Sequence, residues 1–485
     1  MERDGLDLLV VGGGITGAGI VRDAAMRGLR AGLVERGDFA SGTSSRSSKL
    51  IHGGVRYLEQ GEIALVREAA VERATLRRLV PHLAIRANMV MPVHGRTSAG
   101  LLKLRAGLWA YEKLVQLDDD EHHQVWDRDE TMRRVPGIEG DKLQGSAVFT
   151  EYVTDDARLT LETLKSAKRH GAHLASHAPA VRIEPVAGGR MRVEVRDETD
   201  GRCFAVACGA VVNAAGPWVD AVRRLGGEVR ARMHLTKGIH LVVPRTRVPI
   251  DDVLVMRAID RRSVFIVPHD AIVWIGTTDT DYSEPVERPT ITREDVDYLL
   301  EATNRILPHA RVGHADVTGA WAGVRPLVHQ EGKKPSEISR RDEVIEEPDG
   351  LLSIAGGKLT TYRVMAERVV DQVVAKLGGR FGPCRTADEA LVAPGERVVA
   401  PVRIVITDDE VVHAVEEECA MSVADVLERR ARINLFAPDQ GLGDVERVAA
   451  LLAGRLGWAG AREASEIEDY RARVTDDLAW RENAR

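Results

Sequence analysis

An α/β (α+β) chain of three parts is predicted. These are a parallel-sheet domain built from separated stretches, a β-sheet domain inserted into it, and a small α-helical domain at the C-terminal end. Three observations predict it. Residues 8–11 form an apolar run that ends in a glycine cluster and leads into an Ala-rich stretch, as a buried parallel strand followed by a helix would. Residues 234–345 carry alternating runs such as His240 to Val243 and Val264 to Val267, the period-two pattern of strands. Residues 408–485 show helical periodicity with charged faces, beyond a composition break at Gly378-Gly-Arg-Phe-Gly-Pro383. A chain of 485 residues is also too long for a single core.

The first stretch reads Leu8-Leu-Val-Val-Gly-Gly-Gly-Ile-Thr-Gly-Ala-Gly19 and contains Gly12-x-Gly14-x-x-Gly17. Gly12 permits a tight strand-to-helix turn, Gly14 lets backbone approach a pyrophosphate, and Gly17 lets the helix pack on the sheet. Ile15 and Thr16 open the helix, whose N-terminus favours negative charge. A second apolar run, Ala31 to Val34, ends at Glu35, where a carboxylate can accept hydrogen bonds from ribose hydroxyls, with Arg36 beside it. This strand–turn–helix–strand–Glu frame predicts a Rossmann-like dinucleotide site. An acidic residue facing the ribose disfavours NADP. A fingerprint at the start of a long chain with further glycine motifs suits FAD.

Ser41 to Tyr57 is dense in hydroxyls and glycines. Thr43, Ser44, Ser45, Lys49, Leu50, Ile51 and His52 are candidates to hold a pyrophosphate and the edge of a polar ring. Gln60 to Leu79 has helical apolar spacing at Ile63, Val66, Ala70 and Leu76. Leu101 to Lys113 suits an amphipathic helix, fitting either a membrane surface or a cover over a cleft. A helix runs from Asp155 through Ala167 to Gly171. Strands at Val181 to Ile183 and Met191 to Val195 flank a Gly188-Gly189 turn. Val206 to Asn213 is a strand feeding Ala214-Ala-Gly-Pro-Trp218, which returns backbone N–H groups to the nucleotide, so the first domain is discontinuous. Leu351 to Ile354 and a helix over 359–377 close it. Ala414 to Arg432 and Val445 to Leu456 are the clearest C-terminal helices. The expected division is 1–80, 151–233 and 346–380 for the nucleotide domain, 81–150 and 234–345 for the substrate domain, and 386–485 for the helical domain.

Composition excludes several classes. With 67 basic and 74 acidic residues the net charge is −7, and no basic stripe invites nucleic acid. Cys203, Cys208, Cys384 and Cys419 show no metal or disulfide spacing, so no metal is expected and they read as reduced thiols of a cytoplasmic protein. The N-terminal residues lack the pattern of a secretory leader, and no apolar run is long enough to span a bilayer.

The stretch Thr43-Ser-Ser-Arg-Ser-Ser-Lys-Leu-Ile-His-Gly-Gly-Val-Arg-Tyr57 resembles a signature of the FAD-dependent glycerol-3-phosphate dehydrogenases, within the D-amino-acid-oxidase-like flavoproteins. The resemblance recurs at Asp155-Asp-Ala-Arg-Leu159, Asn213-Ala-Ala-Gly-Pro-Trp218, Lys237-Gly-Ile-His240 and Ile275-Gly-Thr-Thr-Asp279. It continues at Gly323-Val-Arg-Pro-Leu327 and Gly356-Gly-Lys-Leu-Thr-Thr-Tyr-Arg363, and so covers about the first 380 residues. It implies oxidation of sn-glycerol 3-phosphate to dihydroxyacetone phosphate by hydride transfer to flavin N5, electrons passing to a quinone. An oxidase returning electrons to oxygen, or an amine or amino-acid oxidase of the same fold, stays as an alternative. An amino acid, however, needs fewer cationic clamps than a phosphate dianion. Contact with the inner face of the cell membrane would be peripheral, and a homodimer is left open. The family carries a longer helical C-terminal domain, and the short Pro394 to Asp408 stretch departs from it.

Alcohol oxidation requires a base for the hydroxyl proton, an anion clamp, and compensation for the reduced ring. His240 is the candidate base and matches the histidine that the resemblance implies. Arg325 and Lys358 could instead lower the hydroxyl's pKa electrostatically. Arg56, Arg325, Arg340 and Lys358 are candidates to clamp the phosphate, with Arg341 able to replace Arg340, and Tyr57 would orient the substrate. Gly357, Leu359 and Thr360 form a turn opening onto a helix whose positive end would face flavin N1 and O2. Val181, Ala215, Gly216 and Trp218 complete the expected cofactor contacts.

Overall fold

The computed structural model describes residues 5–54, 62–95, 97, 99–114, 121–227, 230–260, 262–329, 342–399 and 404–482. Strand Leu6–Val11 lies at the centre of the first sheet, parallel to Ala31–Val34 on one side and Cys203–Asn213 on the other. His173–Ala175 extends the sheet beyond Ala31–Val34, and Leu352–Ala355 extends it beyond Cys203–Asn213, both in parallel. Such strands are covered on both faces, which is why Leu8, Leu9 and Val10 form an unbroken apolar run. One face packs on helices Ile15–Met26, Asp156–Arg169 and Tyr362–Leu377 through Ala18, Val21, Leu161, Leu164, Ala366 and Val370. The other is closed by the hairpin Ala180–Val186 and Arg190–Arg196, through Ile183, Met191 and Val193. Gly188 and Gly189 sit at its turn with φ of +79° and +71°, a backbone that favours glycine.

Among the described residues ten strands make the second sheet. Met233–Pro244 pairs along its length with Gly319–Val328, from Met233 opposite Val328 to Val242 opposite Gly319, and with Ile272–Gly276 on its other edge. Ile85–His94 pairs with Leu143–Val153 and joins Val253–Arg257, so the stretches 81–150 and 234–328 share one sheet. Two short strands correct the expected division. Leu50–Ile51 pairs with Val153 and Tyr152 in this second sheet, whereas Glu343–Glu346 pairs with Leu352–Ala355 at the edge of the first. Strands of two and four residues carry too little periodicity to declare a sheet, and their partners are distant in sequence.

The helix expected over Ala414 to Arg432 is broken. Asp408–Glu416 ends before Cys419, which takes φ of +57°, and a wide turn over Asp425–Arg430 ends at Arg432 with φ of +62°. Tertiary ion pairs explain the break. Glu418 bonds Arg158 inside the first domain, Arg429 and Arg430 both reach Asp38, and Arg432 reaches Asp156. Helical periodicity alone cannot anticipate such partners. Val445–Leu456 has the expected bounds, and Gly460–Asp477 completes the bundle.

Helix Ala99–Leu114 buries Leu108 and Tyr111 but leaves Leu102 and Trp109 exposed at 68% and 58%. Among the described residues no helix is long and apolar enough to cross a membrane.

Candidate active site

A cavity of about 1120 Å³ runs between the two sheets and under the C-terminal helices. Its first end is lined by Gly12, Gly14, Ile15, Thr16, Glu35, Arg36, Thr43 and Ser44. Gly12 has φ of +116°, and a Cβ there would press on the Ala214 carbonyl, so only glycine fits the turn. Glu35 stands at the end of its strand, its Oε2 accepting the Gly13 N–H at 2.6 Å and its Oε1 the Gly37 N–H at 2.9 Å. Burial pushes this carboxyl up despite both donors. Ser44 Oγ accepts the Ile15 N–H at 2.9 Å, and Thr43 donates to the Val324 carbonyl at 2.6 Å. Those bonds tie the hydroxyl-rich segment to the helix N-terminus and to the second sheet. Arg36 stacks on Trp218 at 5.1 Å, and both bond Glu287.

The other end gathers residues from segments far apart in sequence. His240, on Met233–Pro244, is buried with its ring stacked on Trp321 of the neighbouring strand at 4.6 Å and 10°. On its other side stands Gly276, where an added Cβ would overlap the ring. His240 Nε2 lies 2.9 Å from Ser48 Oγ, while Nδ1 is buried with no hydrogen-bond partner among the described residues. Burial first, then the positive charges of Arg325 and Lys49, hold its pKa well below the ordinary range, so the ring is neutral. Arg325 is fixed by Thr277 Oγ1 at 3.0 Å, the Thr278 carbonyl at 3.3 Å and Asp279 at 3.1 Å. A Cβ at Gly238 would overlap its guanidinium. Three of the quoted segments, 237–240, 275–279 and 323–327, therefore interlock around one guanidinium and one imidazole. Lys358 joins them from the turn after Leu352–Ala355, where Gly356 and Gly357 take φ of +75° and +84°.

Leu50, His52, Ala215, Gly216, Trp218, Gly357, Leu359 and Thr360 also line the cavity. The His52 N–H donates to Thr360 Oγ1 at 3.1 Å, which joins the hydroxyl-rich segment to the closing turn. Five expected cofactor contacts are not on the lining: Gly17, Ser45, Lys49, Ile51 and Val181. Gly17 sits where a Cβ would strike the Gly12 carbonyl, so its part is helix packing. Lys49 points its ammonium to Asp156 at 2.9 Å and to the Ser45 carbonyl at 3.1 Å, in a fully buried pair. Ile51 is turned into the core by its pairing with Tyr152. Pro179 and Ala180 take the lining position expected of Val181. Arg56, Tyr57 and Arg340 lie outside the described residues.

Sequence reasoning singled out neither Ser48, Trp321 nor Glu151, of which Ser48 and Glu151 are on the lining, while Thr277 and Asp279 of the quoted 275–279 segment line it with their side chains on Arg325. Ser48 lay inside the quoted hydroxyl run. Trp321 and Glu151 have no local signal, since strand pairing alone brings Trp321 to His240. Asp38, His177 and Asp425 offer three ligand atoms within 4.8 Å of one another. Arg429 bonds both acids there, so protein cations already compensate the charge.

The glycine turn that excludes a Cβ, the strand-end carboxylate and the hydroxyls at a helix N-terminus together fit a bound dinucleotide. The family of FAD dependent oxidoreductases matches residues 7–372, and the C-terminal domain of alpha-glycerophosphate oxidase matches residues 365–463. The aerobic glycerol-3-phosphate dehydrogenase of Staphylococcus haemolyticus is 40% identical over 393 residues, 80% of this chain and 71% of that protein. The chain belongs to the FAD-dependent aerobic glycerol-3-phosphate dehydrogenase family. The Staphylococcus aureus (strain USA300) member is likewise 40% identical, over 81% of this chain and 72% of its own length. The crystal structure of the glycerol-3-phosphate dehydrogenase from Bacillus halodurans, complexed with FAD, superposes with a TM-score of 0.80 at 30% identity, covering 99% of this chain and 96% of that one. The L-alpha-glycerophosphate oxidase of Mycoplasma pneumoniae shares the fold, with a TM-score of 0.60 at 16% identity over 78% of this chain and 96% of its own. FAD is the cofactor of this family, and Gly12 to Thr16, Glu35, Thr43, Ser44 and the 356–360 turn are the residues here suited to hold it.

Proposed function

We propose that the chain oxidises sn-glycerol 3-phosphate to dihydroxyacetone phosphate and delivers the electrons to a quinone. The observation that carries this reading is the meeting of His240, Arg325 and Lys358 on the wall of the cavity that begins at the dinucleotide cradle. When bound, FAD supplies the hydride acceptor. The neutral His240 ring has a lone pair for the hydroxyl proton, and Nδ1 is the ring nitrogen without a hydrogen-bond partner among the described residues. A phosphate dianion beside Arg325 offsets the charge that depresses the imidazole, so substrate binding itself raises the base strength of His240. Arg325 is pre-oriented by Thr277, Thr278 and Asp279, which reduces the ordering needed to grip an anion. Lys358 adds a point charge. Arg56 and Tyr57 are assigned to the same phosphate and glycerol groups by their place in the quoted 43–57 segment, and Arg340 stays a further candidate for the phosphate.

Trp109, Leu102, Lys103, Arg105 and Lys113 on helix Ala99–Leu114 support a peripheral contact with the anionic inner face of the cell membrane, where a quinone would be met. The protein would then be cytoplasmic. The deciding experiment is anaerobic addition of glycerol 3-phosphate to the holoenzyme. Bleaching of the flavin absorbance supports the reading, and an unchanged spectrum refutes it. Hydrogen peroxide formed in stoichiometric amount with product in air would replace the quinone by oxygen.

A further inference from the structure

Glu151 belongs to strand Leu143–Val153 and faces the same cavity as Phe149, yet no step above uses it. It is buried, and among the described residues its donors are few. The Gly53 N–H serves both oxygens, at 2.9 and 3.1 Å. Arg73, on helix Ile63–Leu79, comes no closer than 3.7 Å, because its own hydrogen bonds go to the Thr150 carbonyl and to Glu121. Glu121 adds a second negative charge behind it and also takes Arg77 and the Tyr152 hydroxyl. Tyr111, from helix Ala99–Leu114, presses its hydroxyl against Gly53, and that hydroxyl has no partner among the described residues. His52 completes the surroundings from the loop side.

Asp156 provides the contrast within the same molecule. It is equally buried but accepts the Ser47 N–H at 2.9 Å, the Ser47 hydroxyl at 2.6 Å, Lys49 at 2.9 Å and Arg432 at 3.1 Å. Those donors hold Asp156 below the usual carboxylate range. Glu151, with one shared donor, is lifted by burial to about 7. A carboxyl so poorly supplied can be neutral or charged near physiological pH, according to what else enters the cavity. Among the described residues Gly53 is its one hydrogen-bond partner, and the preceding residue, His52, is tied to Thr360.

We propose that Glu151 is a positioning residue that takes up one proton from solvent when an anion enters the cavity. Its carboxyl is then neutral where it holds the Gly53 N–H. Uptake removes a like charge from the cavity wall and leaves the carbonyl oxygen to hold the Gly53 N–H. This rests on the reading of the cavity as a phosphate site.

The test uses FAD-loaded enzyme and sulfate, a dianion at every pH between about 6 and 8.5. Binding is followed by the flavin difference spectrum, and proton uptake by an indicator dye in weak buffer. In the wild type, affinity should fall as pH rises through about 7, by up to about tenfold per pH unit at full coupling, and binding should draw protons from solution. Glu151→Gln keeps an oxygen for Gly53 but cannot titrate, so the inflection near 7 should disappear and proton uptake there should fall well below that of the wild type. Glu121→Gln removes a negative charge that adds to the lift from burial and should move the inflection to lower pH. If Glu151→Gln does not fold, this second variant decides. A flat wild-type profile, equal proton uptake in wild type and Glu151→Gln, or an inflection unmoved by Glu121→Gln overturns the inference alone. Sulfate that fails to bind the wild type at any pH overturns the phosphate site and the inference with it.

Discussion

Replacing Arg325 by alanine is the most informative perturbation of this site. The guanidinium is held in place by Thr277, Thr278 and Asp279, so it does not have to be ordered when a phosphate arrives. One charge-assisted hydrogen bond lost from a partly buried site is worth about 1.5–3 kcal/mol. At about 1.4 kcal/mol per factor of ten, kcat/KM for glycerol 3-phosphate should fall roughly 10- to 150-fold. Asp279, 3.1 Å from Arg325, would lose that ion pair beside the arriving phosphate, which pushes the loss toward the upper end. Arg325→Lys should recover part of it, because a lysine keeps the charge but not the fork. The assay is steady-state turnover with a soluble dye acceptor, on glycerol 3-phosphate and on glycerol, alongside FAD content from absorbance. Turnover of glycerol, which has no phosphate, should change little. Equal losses on both substrates would make Arg325 part of the chemistry, and a loss of bound FAD would put it on the cofactor side of the cavity. Either result refutes the clamp.

Further predictions bear on the cofactor, the base, the helical domain and the surface. Glu35→Ala removes the acceptor of the Gly13 and Gly37 N–H groups, so FAD should dissociate on dialysis of the variant while the wild type stays yellow; the wild-type flavin should come free on denaturation, with no link to His52. Gly276→Ala places a methyl on the His240 ring, and should cut kcat by at least about tenfold with FAD content unchanged, as the same spectrum and turnover assay will show. Glu418 and Asp425 are held below the usual carboxylate range by partners that include Arg158 for the first and His177 and Arg429 for the second. Their contribution is therefore present above the unfolded carboxylate pKa of about 4 and is lost as pH falls below it. Proteolysis of acidified protein should cleave the 408–482 region first, and uniform cleavage would argue otherwise. Leu102→Glu with Trp109→Glu should abolish binding to vesicles of anionic lipid in a flotation assay, and high salt should weaken wild-type binding.

Much of this protein is legible in one dimension because some of its physics is local. The strand, glycine turn and helix from Leu6 to Met26 are specified by neighbours in the chain, and Glu35 follows at the end of the next strand, so the dinucleotide cradle can be read directly. The hairpin at Gly188 and Gly189 and the helix Val445–Leu456 are legible for the same reason. What the tertiary structure decided is partnership between distant residues. Lys49 sits among ring-binding hydroxyls in sequence, yet Asp156 claims it, because a buried ammonium requires a counter-ion and Asp156 is the one within reach. His240 is an unremarkable histidine until strand pairing sets Trp321 on one side of it and Gly276 on the other. The break after Glu416 is invisible to periodicity, since Arg158 and Asp38 lie hundreds of residues away. Glu151 has no signal in the chain at all. Its chemistry comes from burial and from how few donors the described residues leave within its reach, a property that exists only once the sheet has closed over it.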